Sequence, residues 1–152
     1  MTIEQIFIAA ASGGPQQACE RVTVVAGAGI EGDRYYARHD EPGQNITLVE
    51  AEAIEAFLGE QQRPLDLSVT HRNLVTRGVR LNDLVGREFT VGPVRLRGVE
   101  LCEPCMGLGQ ALAGPSLTPA EVVKCLVHRA GLRADVLCNG VIARGDTLQA
   151  ID

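Results

Sequence analysis

Val91-Gly92-Pro93-Val94-Arg95-Leu96-Arg97-Gly98-Val99 alternates apolar with charged residues, the pattern of a half-buried strand. It runs straight into Glu100-Leu101-Cys102-Glu103-Pro104-Cys105-Met106-Gly107-Leu108-Gly109. Pro104 disfavours helical dihedrals at Glu103, and Gly107 and Gly109 loosen the backbone beyond it. Two thiols are thereby set at a bend where a strand ends, a place suited to presenting reactive side chains. The flanking arginines, Arg95 and Arg97, are positioned by the same alternation to lower a thiol pKa.

Outward from this stretch the chain reads as mostly strand. Ile3 to Ile8 predicts an opening strand, and Arg21-Val22-Thr23-Val24-Val25-Ala26 a second, rich in branched residues. Gly27-Ala28-Gly29-Ile30-Glu31-Gly32-Asp33-Arg34 permits tight turns, but it lacks G-x-G-x-x-G and no helical pattern follows, so it is not a dinucleotide fingerprint. Gln44 to Val49 predicts a strand and Glu50 to Gly59 a short acidic helix with Ile54, Phe57 and Leu58 inward. His71 to Gly78 reads as a strand entering a turn, Leu81 to Gly86 as one helical turn, and Glu88 to Val91 as strand again. Thr118-Pro119-Ala120-Glu121 has the form of a capping box with proline at the first helical position, predicting a helix to about Arg129. Asn139-Gly140, between Ala134–Cys138 and Val141–Arg144, is a type I′ hairpin signal. A last strand is expected from Thr147 to Ile151.

The 152 residues are enough for one domain that buries roughly two-thirds of the surface its unfolded chain exposes. Seventeen glycines favour many turns and hence a strand-rich fold over a helical bundle. Five aromatic residues and a net charge of −5 argue against a nucleic-acid platform, which needs ring faces in a positive groove. The basic residues are thirteen arginines and Lys124. Residues 40–60 hold six acids and no base, whereas residues 71–99 hold six arginines against Asp83 and Glu88. Guanidinium groups that converge can hold an anion even on an acidic protein. No run approaches the roughly 18 apolar residues of a membrane span. With no basic leader at the start and an odd set of five cysteines, a cytoplasmic location with reduced thiols is expected.

Three readings of Cys102 and Cys105 stand side by side. A thioredoxin-like pair needs a helix start after a βαβ pattern, which the strand-rich surroundings do not offer. Zinc is suggested by spacing: Cys102-x2-Cys105, nineteen residues, then Cys125-x2-His128 outlines a Cys3His site and a non-catalytic, zinc-stabilised binding module. Against it, Cys125 falls on an amphipathic helix beside Leu126 and Val122, where a free cysteine behaves as a small hydrophobe. The third reading is one reactive or metal-binding thiolate supported by arginines. His71 beside Arg72 could help bind an anion, and His39 lies in a charged, solvated loop.

Taken in order, Gly29-Ile30-Glu31-Gly32-Asp33-Arg34, Ile46-Thr47-Leu48-Val49-Glu50, Asn73-Leu74-Val75-Thr76-Arg77-Gly78, Leu84-Val85-Gly86 to Gly92, Cys102-Glu103-Pro104-Cys105, Leu126-Val127-His128-Arg129 and Gly131-Leu132-Arg133-Ala134 resemble the MOSC domain. That module is found at the C-terminus of molybdenum-cofactor sulfurases and as a free-standing bacterial protein. The resemblance spans about residues 3 to 150 and implies a single MOSC-like domain with a mainly β, β-barrel-like fold. Combined with the patterns above, two short helices are expected, at about 50–59 and 119–129.

The resemblance further implies molybdenum cofactor (molybdopterin) as the bound group, with one cysteine as molybdenum ligand or persulfide carrier. That cysteine is Cys105 before Cys102. Arg72, Asn73 and Arg77 would hold the phosphate end, and Arg34, His128, Arg129 and Arg133 would line the site. Relatives with this module reduce N-hydroxylated compounds, so the chain could be a molybdenum-cofactor-dependent oxidoreductase or a sulfur-transfer protein. No flavin, haem or iron–sulfur motif is present, so the expected partner is an electron-transfer protein or a cysteine desulfurase; neither nucleic acid nor membrane is expected. Lys124, the single lysine, sits on an exposed helix edge, which argues against pyridoxal-phosphate chemistry within this chain.

Overall fold

Alternating burial along the strands builds two apolar layers from one sheet. The computed structural model describes residues 1–38, 41–104 and 106–151. An eight-stranded, curled sheet runs in the order β11 (Leu148–Ala150), β7 (Glu88–Val91), β8 (Val94–Leu101), β9 (Leu132–Val136), β5 (Ile46–Glu50), β6 (Leu74–Arg77), β1 (Thr2–Ile8) and β2 (Gln17–Cys19). A smaller sheet follows the order β10 (Gly140–Ala143), β3 (Arg21–Val25) and β4 (Gly29–Ile30). Ile6, Leu48 and Leu74 face the core enclosed by the two sheets, with Phe89, Val94 and Leu96. Their sequence neighbours Phe7, Val49 and Val75 point the other way, into a second apolar cluster roofed by helices. Ile3 N–H donates to Asp146 O, Gly145 N–H to Ile3 O and Leu148 N–H to Met1 O, so the first strand is sutured to the last.

Helix α1 (Ala51–Glu60) buries Ile54, Phe57 and Leu58 as its pattern requires, and it connects β5 to β6, which pair in parallel. Helix α3 (Pro119–Leu126) begins with the expected capping box: the Thr118 hydroxyl accepts from Glu121 N–H, and the Glu121 carboxylate accepts from Thr118 N–H. It ends three residues before Arg129, because Val127 leaves the helical region and His128 takes a positive φ of 62°.

Two expectations are corrected. A further helix, α2 (Met106–Leu112), occupies the stretch whose glycines predicted only a loosened backbone. Gly109 is what lets it pack on α3, since a Cβ there would lie 2.6 Å from Pro119 O. The Asn139-Gly140 hairpin does not form. Both edges of β9 are already taken by β5 and β8, so β10 crosses to pair with β3, and Asn139 Oδ1 accepts from Ala26 N–H instead.

Candidate functional site

Register across three strands lays down a polar row. Thr47 on β5 is paired with Arg133 on β9, and Arg133 in turn with Glu100 on β8. Glu100 reaches this row through a bulge: between Gly98 and Glu100 the register shifts, β8 carrying one residue more than its partner. Before the bulge Arg95 and Arg97 are the exposed residues; after it, Glu100 is. Arg133 Nη1 donates to Glu100 Oε1 at 2.7 Å, while its Nε donates to Gly43 O at 3.2 Å. Asp135, two residues along β9, accepts Gly43 N–H at 2.6 Å, so both sides of one glycine are clamped to one strand. Gly43 has φ of +84°, and a Cβ there would press on Val99 and Arg133 at 3.1 to 3.3 Å.

This row floors a cleft of about 420 Å³, lined by Tyr35, Arg38, Gly43, Gln44 and Thr47 on one side and Arg72, Arg133 and the Glu100–Glu103 segment on the other. That volume lies within the range of small-molecule and cofactor sites. Arg72 is fixed by an Nε–H donated to Ala130 O at 2.9 Å, and no described residue holds its terminal nitrogens. Cys102 N–H donates to Gly131 O, and the residue is 5% exposed. Burial pushes its thiol pKa up, outweighing the lowering by Arg72 and Arg133, while Glu100 and Glu103 add to the rise. At neutral pH Cys102 is therefore a thiol, poorly suited to act as ligand or nucleophile. Cys105 lies outside the described residues, as does His39; in sequence Cys105 stands two positions past Glu103, a wall of the cleft.

Of the residues singled out from the sequence, Cys102, Arg72 and Arg133 meet in this cleft. Five others do not line it. Asn73 is buried, its Oδ1 accepting from Thr47 N–H and hydroxyl and its Nδ2 donating to Phe7 O. Arg77 forms a two-pronged pair with Glu55 and a further bond to Glu4, which together raise its pKa. Arg129 folds back on Cys125 O, and exposed His128 lends its carbonyl to Asn82. Arg34 acts from behind the wall: it pairs with Asp33, donates to His71 O at 2.9 Å and lies 4.5 Å from the Tyr35 ring centre. It thereby steadies both Tyr35 and the segment leading to Arg72. His71 has its pKa lowered by burial and then by Arg34 and Arg72.

Arg95 and Arg97 do not flank the thiols. Both pair with Glu88 on the far side of the bulge. Cys102, Cys125 and His128 do not gather either, for no group of three or more metal-ligating side chains occurs among the described residues. Sequence reasoning missed Tyr35, Arg38, Gln44, Thr47, Glu100 and Glu103. For Glu100 a signal exists: the charged positions step 95, 97, then 100, a slip in the alternation that marks the bulge.

The sequence profile of the MOSC domain matches residues 35–149, well over half of the chain. The chain belongs to the MOSC domain family. The MOSC fold is matched throughout by the YuaD protein from Bacillus subtilis, with a TM-score of 0.83 at 17% identity over 98% of this chain and 94% of that one. YiiM from Geobacillus stearothermophilus gives 0.73 at 17% identity over 99% and 75%, and YiiM from Escherichia coli 0.68 at 15% identity over 100% and 70%. At such identities the likeness is one of fold. No curated protein matches this MOSC chain significantly. No helix among the described residues is long and apolar enough to cross a membrane.

The family is linked to molybdenum-cofactor sulfurases, and the residues present fit that cofactor. Three guanidinium groups suit a phosphate, and Gln44, on the wall, carries a buried Oε1 with no hydrogen-bond partner.

Proposed function

We propose that this MOSC domain binds molybdenum cofactor in the Arg38–Arg72–Arg133 cleft, with the thiolate of Cys105 as molybdenum ligand. The observation that carries the reading is the convergence of three arginines from distant parts of the chain on one cleft of cofactor size. Arg72 is pre-oriented through Nε, which leaves its terminal nitrogens for a phosphate. Arg38 bears no partner on its guanidinium among the described residues and supplies a second donor. Cys102 stays protonated and packs against the helical layer, supporting the bend rather than reacting. Bound there, the cofactor would supply two-electron chemistry at molybdenum, of which reduction of N-hydroxylated compounds is one use.

Elemental analysis of protein reconstituted with the cofactor tests this. Stoichiometric molybdenum is expected, retained in Cys125→Ser and lost in Cys105→Ala. A hydrogen bond to a charged group contributes about 1.5–3 kcal/mol. Arg72→Ala should therefore weaken cofactor binding about 10- to 100-fold. Unchanged molybdenum content in both Cys105→Ala and Arg72→Ala would refute the reading, as would stoichiometric zinc that disappears in Cys125→Ser.

A further inference from the structure

The internal pairings of the cleft leave a particular remainder. Among the cations, Arg133 is committed to Glu100 and Gly43, whereas Arg38 and the outer edge of Arg72 have no partner among the described residues. Among the acids, Glu100 is committed to Arg133, whereas the Glu103 carboxylate forms no hydrogen bond or ion pair with any described residue. Glu103 is exposed and lines the same cleft as the free guanidinium groups. The unsatisfied groups are thus two cations and one carboxylate facing a common space, with the Gln44 amide oxygen unpartnered on the wall.

A ligand complementary to that remainder carries an anion at one end and a pair of N–H donors at the other. A carboxylate accepts two parallel N–H bonds best, as it does from a guanidinium. The heterocyclic edge with that geometry is the 2-amino-4-oxo pyrimidine: its ring N–H and adjacent exocyclic amino group point the same way. A 2,4-dioxo ring instead flanks its N–H with carbonyl oxygens, which a carboxylate repels. We propose that Glu103 is a specificity-determining residue that reads the amino-oxo pyrimidine edge of a phosphorylated pterin-like ligand, while Arg38 and Arg72 take its anion. The inference rests on the cofactor reading above and deepens it by assigning the end of the ligand opposite the phosphate.

The test compares pterin with lumazine, the 2,4-dioxo ring system, by quenching of their own fluorescence on titration with the protein. Wild type should prefer pterin by about tenfold or more, and Glu103→Gln should bring the two within about threefold while Glu103→Asp keeps the preference. Inorganic phosphate, titrated in competition with a phosphorylated pterin, should bind Glu103→Gln as tightly as wild type or more tightly, since a nearby negative charge has gone. Equal affinity of wild type for pterin and lumazine, a preference that survives Glu103→Gln, or no binding of pterin at millimolar concentration overturns the assignment. The cofactor reading fails separately: in that case Arg72→Ala leaves phosphate competition unchanged whatever Glu103 does.

Discussion

Replacing Asn73 by alanine separates two roles for this side chain, a holder of ligand phosphate and a bolt inside the fold. In the structure it is 1% exposed and ties three segments together: its carbonyl accepts from Thr47 N–H at 3.1 Å and from the Thr47 hydroxyl at 3.2 Å, and its amide donates to Phe7 O at 3.1 Å. The Thr47 hydroxyl can turn elsewhere, but Thr47 N–H and Phe7 O are fixed backbone groups. Each buried polar group stripped of its partner costs about 1–3 kcal/mol, so the two together cost about 2–6 kcal/mol. That is a large share of the roughly 5–15 kcal/mol by which such domains are stable. It corresponds to a fall in Tm of roughly 4–24 °C for a chain of this size. Urea unfolding followed by far-ultraviolet circular dichroism is the assay, and the midpoint should fall by about 2 M with an unchanged slope. Asn73→Asp keeps the acceptor but buries a carboxylate. Burial raises its folded-state pKa above the unfolded value, so stability is lost as pH rises past about 4. If Asn73→Ala unfolds at the wild-type midpoint yet loses phosphate affinity, the side chain serves the ligand and the structural argument is wrong.

Cys102, with its pKa raised by burial, should resist iodoacetamide at pH 7 and react appreciably only when pH exceeds the ordinary thiol range of about 8–9. Mass spectrometry of the alkylated protein reads this, and rapid labelling of Cys102 at neutral pH would contradict it. Gly131→Ala should be strongly destabilising, by about 3 kcal/mol or more. Its φ is +115°, and a Cβ would collide with Leu48 O. Thermal melts check the outcome, and a variant within about 2 °C of wild type would count against it. Because Gly131 O also holds Cys102 N–H, the same variant should speed alkylation of Cys102.

Local pattern accounts for what could be read without coordinates. The strand alternation, the acidic helix with Ile54, Phe57 and Leu58 inward, and the Thr118–Glu121 capping box are decided within a few residues of chain, and each is found as expected. What failed was decided at a distance. Asn139-Gly140 has every feature of a hairpin turn, but no free edge of β9 was left for it to use. Gly107 and Gly109 read as loosening the backbone, yet at Gly109 tight contact with α3 is a use for glycine that outweighs its propensity. The cleft shows the same division. Arg72 and Arg133 were identified, whereas Arg95 and Arg97 were assigned to the thiols although Glu88, on the neighbouring β7, pairs with both, and Tyr35, Arg38 and Gln44 lie between β4 and β5, where no strand or helix pattern marks them.

The suture between Met1–Ile3 and Gly145–Leu148 also has a kinetic consequence. Barrel closure brings together positions separated by nearly the whole chain, a contact whose loop entropy must be met before it returns any stabilisation. During synthesis β1 can pair with β2 and β6 early, but the backbone groups of Met1 and Ile3 that face the closing segment stay unsheltered until it has left the ribosome. Chains stalled before that point should be the form most prone to associate through an open edge, and the best clients for a chaperone.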